Sequence, residues 1–185
     1  WEYHNYRDSE IDKFMLAAEE VAEYGYYVFR MGHTVEKEFR VNHPRVIDYA
    51  TNGMRDDFID IYLASICDFI ISTGNGGECP GAWCFRKPWV AVGLCPIGYL
   101  PTYNHNAIFL TKHHIDKSNN IELSLSEIFK RKLGHCLSTS CYENILLKDN
   151  TPDEIRDISI EMVHRLQGKL EYSDNDEMIQ RHCWE

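Results

Sequence analysis

The sequence predicts an α/β fold, a parallel β-sheet with helices packed on its faces. Two observations carry this. Four short runs, "YYVFRMG" (Tyr26–Gly32), "RVIDYA" (Arg45–Ala50), "CDFIIST" (Cys67–Thr73) and "PWVAVG" (Pro88–Gly93), are apolar with little alternation, as strands buried on both faces are. Helical segments separate them, and alternating strand and helix is the pattern of a parallel sheet.

Taken in order, the first helix begins at Ser9, a capping residue type, with Asp12 three positions on. Ile11, Phe14, Met15, Ala18, Val21 and Ala22 form its apolar stripe, and Gly25 ends it. The first strand runs into a polar, irregular segment, His33–Pro44, and the second strand follows. A helix from about Met54 to Ile66 places Phe58, Ile59, Tyr62, Leu63 and Ile66 on one face, while Asp56 and Asp57 suit the dipole at its start. The third strand ends in "STGNGG" (Ser72–Gly77), and a short helical turn near Pro80–Phe85 leads to the fourth strand.

Beyond that strand the chain reads as more helical. "SLSE" (Ser124–Glu127) and "TPDE" (Thr151–Glu154) are capping boxes, the second with Pro152 at the first helical position. The second opens a helix carrying Ile155, Ile158, Met162 and Leu166 and closed by Gly168. A last helix from Ser173 is expected to fold Met178, Ile179 and Trp184 back onto the body. No repeat or low-complexity linker divides the chain. One domain over residues 1–185 is expected, with the helices from about 151 onward packed against it.

Charge narrows the partners. With 29 acidic against 19 basic residues the chain lacks the basic footprint of a nucleic-acid binder. A small anion remains compatible, because a few arginines and a helix start bind one locally. No apolar run reaches the ~20 residues of a membrane span, and "WEYHNYRDSE" has neither the basic nor the apolar part of a signal peptide. Seven cysteines without a compact framework suggest reduced thiols and a cytoplasmic protein. Cys79-x4-Cys84 and Cys136-x4-Cys141 are spaced more widely than usual zinc ligands, and Cys67 and Cys95 read as buried strand thiols. No metal site is expected.

The glycine loop is the candidate for chemistry. Ser72 and Thr73 offer hydroxyls, and Gly74, Gly76 and Gly77 let backbone N–H groups approach an anion. The same cluster equally serves as a tight turn. No Gly-Lys-Ser/Thr follows, and the loop does not match G-x-G-x-x-G. Arg7, Arg30, Arg55 and Arg86 lie near element ends, within reach of a shared crevice. Arg30 at a buried strand end needs a partner, either a ligand or a carboxylate such as Asp48 or Asp60. Ser72 lacks a nucleophile elbow. "KHH" (Lys112–His114) points its histidines to opposite faces and is expected at the surface.

Several stretches together resemble a family of bacterial-type glycosyltransferases: "HNYRDSEID", "GYYVFRMG", "VIDYATNGMRDDFIDIYLASICDFIISTGNGG" and "PIGYL". Clear motifs run from about Tyr3 to Tyr103, continuing more loosely through "LSLSEIF" and "NTPDEI". The family is similar to the GT-B class, in which two Rossmann-like domains face each other across a cleft and the C-terminal one binds the nucleotide-sugar donor. The resemblance implies a Rossmann-like fold, donor-diphosphate contacts at Ser72, Thr73, Gly74, Asn75, Gly76 and Gly77, and phosphate neutralisation by Arg7 and Arg30. Asp8 and Asp60 also fall on motif positions, where structural roles are expected.

On that resemblance the chain transfers sugar from a nucleotide-sugar to a glycan or related acceptor. It needs no cofactor or metal, and a further N-terminal acceptor domain completes the enzyme. The loop continues "GGECPGAWCF", richer in glycine and cysteine than the family pattern. Two other functions fit the same residues. One is a non-catalytic nucleotide- or protein-binding module. The other is a nucleotide-sugar epimerase or hydrolase using Glu78, His33 or His105 as its acid or base.

Overall fold

The computed structural model describes residues 2–74, 79–100 and 102–184. The chain opens with two 3₁₀ turns, Glu2–Arg7 and Ile11–Phe14, before α1 (Met15–Glu23). The expected Ser9 cap is corrected. Glu10 occupies the position before the second turn and makes no side-chain cap bond. Ser9 Oγ instead abuts Gly93, 3.3 Å from where a Cβ would stand.

β1 (Val28–Phe29) and β2 (Val46–Ile47) pair in parallel and are shorter than the apolar runs suggest. α2 (Asp57–Ile66) starts where Asp56 caps it, Oδ1 accepting the Phe58 N–H at 2.9 Å. β3 (Ile70–Ser72), β4 (Trp89–Leu94) and β5 (Ala107–Thr111) form a parallel sheet in that order. The turn expected near Pro80–Phe85 is a π-helical turn, Cys79–Cys84.

The second half corrects the expectation of a wholly parallel sheet. β6 (His113–Asp116), β7 (Ile121–Glu122) and β8 (Ile145–Lys148) make an antiparallel sheet in the order β7-β6-β8. The fold is mixed α/β. One residue, Lys112, separates β5 from β6. Ser124 caps α3 (Leu125–Lys130) by accepting the Glu127 N–H at 3.3 Å. Thr151 and Glu154 cap α4 (Pro152–Leu166) reciprocally, as the sequence predicts.

Two clusters account for most of the core. Ala17 of α1 and Ile155, Ile158 and Met162 of α4 pack on Val90 and Val92 of β4. The long apolar run of β4 is buried throughout because α1 and α4 cover one face and Ala82 of the π-helical turn packs with Trp89 and Ala91. The second cluster joins Tyr6, Cys95, Ile97, Leu123, Ile128, Leu133, Tyr142 and Ile145 beneath the antiparallel sheet.

Three further expectations change. α5 (Asp174–Trp184) leaves Met178 and Ile179 62% and 57% exposed, so these two do not pack back on the body, and the Trp184 side chain lies outside the described residues. The histidine pair is split rather than superficial: His113 is half-buried, and His114 is buried with Nδ1 donating to the Lys112 carbonyl at 2.8 Å. Cys136 and Cys141 are joined as a disulfide, since the 3₁₀ turns at Leu133–His135 and Thr139–Tyr142 bring their Cα atoms to 6.3 Å. That pair departs from the expected reduced state.

One polar cluster ties these parts together. Lys112 Nζ donates to Asp149 Oδ1 at 2.7 Å and to the Asp8 carbonyl, and Lys13 Nζ reaches Asp149 Oδ2 at 2.9 Å. Next to it, Asn150 Oδ1 accepts the Gly93 N–H at 2.9 Å and its Nδ2 donates to the Thr111 carbonyl at 3.1 Å. Burial pushes the Asp149 carboxyl up, but the two lysines outweigh it and hold it below the usual range. Because the folded value is the lower one, Asp149 stabilises the fold above its unfolded pKa and loses that contribution as pH falls through the folded value. Asp149→Asn therefore costs roughly 3 kcal/mol at neutral pH, leaving Lys112 buried without its counter-charge. In thermal unfolding, the gap between variant and wild type narrows below about pH 4.

Candidate functional site

In open α/β sheets a ligand lies beyond the carboxyl ends of the strands, where the strand order reverses. Among the described residues β1 bonds only to β2, and β3 pairs with β4 alone on its other side. The facing edges of β1 and β3 line one crevice, whose volume is about 2080 Å³. Tyr26 and Phe69, just ahead of the two strands, meet edge to face with centroids 5.8 Å apart.

The structure gathers some of the predicted site residues and separates others. Arg30, Ser72 and Thr73 all line this crevice. Arg7 does not: it lies in the first 3₁₀ turn with its guanidinium 5.6 Å from the Tyr6 ring centroid, although its neighbours Asp8 and Ser9 reach the crevice. Arg55 is turned to Asp57 and Asp60, at 2.7 and 2.8 Å, which gives Asp60 the expected structural role. Arg86 is exposed and outside the crevice lining, as is His105, whereas His33 lines it. Asn75, Gly76, Gly77 and Glu78 lie outside the described residues.

Local chemistry explains several of these positions. Arg30 Nη1 donates to Asp48 Oδ1 at 3.2 Å and Nη2 to the Lys37 carbonyl at 3.2 Å. Asp48 Oδ2 also accepts the Phe39 N–H at 2.8 Å and the Thr51 hydroxyl. Burial raises the Asp48 carboxyl, yet these donors and Arg30 together hold it below the usual range. Arg30 thus pins the polar segment after β1 against β2, and its guanidinium fork is committed to two acceptors. Ser72 Oγ accepts the Trp89 indole N–H at 3.0 Å and the Gly74 N–H at 3.4 Å. Gly74 has φ +73°, and a Cβ there would stand 3.3 Å from Leu94 Cδ1, so the turn itself demands this glycine.

Asp149 is a crevice residue that the sequence did not single out. The available signal was Lys112, a charge set inside the apolar run "AIFLTKHHID" that must find a partner. Its partner lies 37 positions away, beyond the reach of any local pattern. Around the crevice the carboxylates of Asp8, Glu10, Glu36, Asp57, Asp60, Asp68 and Asp149 outnumber the basic Arg30 and Lys37. Negative charge is therefore best accommodated at the strand ends, where Arg30 and the Ser72–Gly74 turn lie. The acidic walls favour a neutral ligand part rich in hydrogen-bond donors.

No family model, curated protein or solved structure matches this chain.

Ser72→Ala removes the acceptor for the Trp89 indole within a half-buried site. The expected loss is about 1–3 kcal/mol in denaturant unfolding. Gly74→Ala costs about 1–2 kcal/mol from the left-handed backbone alone.

Proposed function

We propose that this chain binds a nucleotide-sugar in the crevice between β1 and β3 and serves as the donor-binding part of a glycosyltransferase. The observation that carries the reading is the convergence of Arg30, Ser72 and Thr73 on one crevice at the carboxyl ends of β1 and β3. The diphosphate lies at the strand ends, near the Arg30 guanidinium and the turn after β3. The sugar, whose hydroxyls are donors, faces the carboxylates of the walls. A crevice larger than the ~300–1,000 Å³ of a small-molecule pocket leaves room for an acceptor beside the donor. The chemical task of this part is to hold the departing nucleoside diphosphate as it gains charge. Acceptor binding falls to a further segment or partner. The sequence resemblance supports the same assignment.

Thermal unfolding with UDP, GDP, CDP, ADP and dTDP at millimolar concentration tests it. One of these raises the Tm by roughly 5–10 °C when present at a hundredfold excess over its Kd. Thr73→Val, which removes a hydroxyl at nearly constant shape, reduces that shift. Arg30→Lys keeps the charge beside Asp48 but loses the planar fork, and reduces it further. No response to any nucleotide, or an undiminished response in both variants, overturns the assignment.

A further inference from the structure

His113 on β6 stands between two carboxylates from different elements. Its Nδ1 lies 2.7 Å from Glu122 Oε1 on β7, and its Nε2 lies 3.2 Å from Glu154 Oε1 in the first turn of α4. A neutral imidazole carries one N–H, so it would set a lone pair against one of these anions. Only the imidazolium donates to both. Glu154 is fixed in place, because its Oε2 also accepts the Thr151 N–H at 2.7 Å and the Thr151 hydroxyl at 3.0 Å. The protonated ring therefore joins the β6–β7 hairpin to the helix that covers the parallel sheet.

The other charged and titratable groups around the ring do not compete with these two anions. Lys148 on β8 is the cross-strand neighbour of His113 and shares its face, but it is exposed and its like charge is screened. Lys112, the preceding residue, directs its ammonium to Asp149 and the Asp8 carbonyl. On the opposite face of β6, His114 is buried beside Cys95 and Tyr142, and Asp116 is paired with Arg131. Burial lowers the His114 imidazole and raises the Cys95 thiol and the Tyr142 phenol, so all three stay neutral. For His113 itself, burial alone lowers the imidazole, but Glu122 and Glu154 together hold it above the ordinary histidine value. Burial likewise raises the Glu154 carboxyl, which Thr151 and His113 bring below the usual range.

Lys112 and His113 are consecutive, and their partners Asp149 and Glu154 bracket the entry into α4. The lysine tie is charged throughout the neutral range, whereas the histidine tie depends on a proton. We propose that His113 is a pH-sensitive latch, which fastens the first turn of α4 to the β6–β7 hairpin and steadies the crevice wall at Asp149. Loss of the proton opens the latch and leaves Lys112–Asp149 as the remaining tie. Its reach to the crevice rests on Asp149, which lines that wall, and not on the identity of the ligand.

Because the folded His113 value is the raised one, its contribution is complete below the unfolded value of about 6.5 and is lost as pH rises through the folded value. Glu154, held low, contributes above its unfolded value of about 4.3 and fails as pH falls through its folded one. The latch is thus fullest between about pH 4.3 and 6.5.

Thermal unfolding between about pH 5 and 9 in dilute buffer tests this with wild type, His113→Gln, Glu122→Gln and Glu154→Gln. Glutamine at position 154 still completes the capping box, so that variant separates charge from cap. Wild type melts roughly 2–4 °C above each variant near pH 6, and the gap closes toward pH 9. In NMR titrations the His113 ring, assigned by its absence from His113→Gln, has a midpoint above about 6.5, and Glu122→Gln lowers it. Amide exchange at residues 152–156, corrected for its intrinsic rate, quickens as pH rises through that midpoint. A midpoint at or below about 6.5 overturns the proposal. So does a gap to His113→Gln that persists undiminished to the highest pH, or exchange in the first turn of α4 that is indifferent to the midpoint.

Discussion

The contact between Asp149 and Lys112 is the constraint on which the arrangement of this protein depends. A lysine in the middle of an apolar run must be met by a counter-charge, and the carboxylate that meets it lies just ahead of α4. The same carboxylate draws in Lys13 from the 3₁₀ turn before α1, while Lys112 also holds the backbone at Asp8. Helices that cover the parallel sheet, the amino-terminal segment and the junction of two sheets are thus fixed by one buried group of charges. Such a group gains little over an apolar packing of the same shape, but it tolerates only one arrangement of the elements around it. Asn150, bonded to both β4 and β5, extends the same specification to the backbone.

The crevice follows from what that junction leaves unpaired. α1 and α4 pack on β4, and among the described residues β1 and β2 form a pair of their own whose residues line the crevice with those of β3. Arg30 illustrates how the polar groups at this opening divide their tasks. It lines the crevice, yet its ion pair with Asp48 already holds the segment that leaves β1. A ligand anion there adds to an existing ion pair instead of finding a bare cation. Ser72 is similar, since its oxygen accepts the Trp89 indole while its own O–H keeps donor capacity.

The first half of the chain was legible because its elements are written locally. Buried strands appear as apolar runs, Asp56 announces a helix start, and the Arg30 partner is 18 residues away, just past the end of the adjoining strand. In the second half the helix starts at Ser124 and Thr151 were equally legible, but the strands were not. β6 and β8 carry His, Lys and Asp among their apolar residues, and their pairing joins positions more than thirty apart, such as His113 with Lys148. Polar strands stabilised by cross-strand neighbours show no run that a local window detects. At the site, Ser72, Thr73 and Arg30 could be picked out by residue type and position, but Asp149 could not. Its role is set by a buried lysine elsewhere, so only the folded chain reveals it.

The single residue between β5 and β6 has a consequence of its own. Thr111 ends a strand of the parallel sheet, and His113 begins one of the antiparallel sheet, so the two layers share an almost unbroken length of backbone. The residue between them is the buried lysine. Two cores that look separable in outline therefore have no seam here at which the chain can be cut, lengthened or exchanged for a homologous piece. An insertion at this point would displace the ammonium from Asp149 and shift the register of two sheets at once. The two halves of the architecture therefore respond as one to any change of chain length at this point.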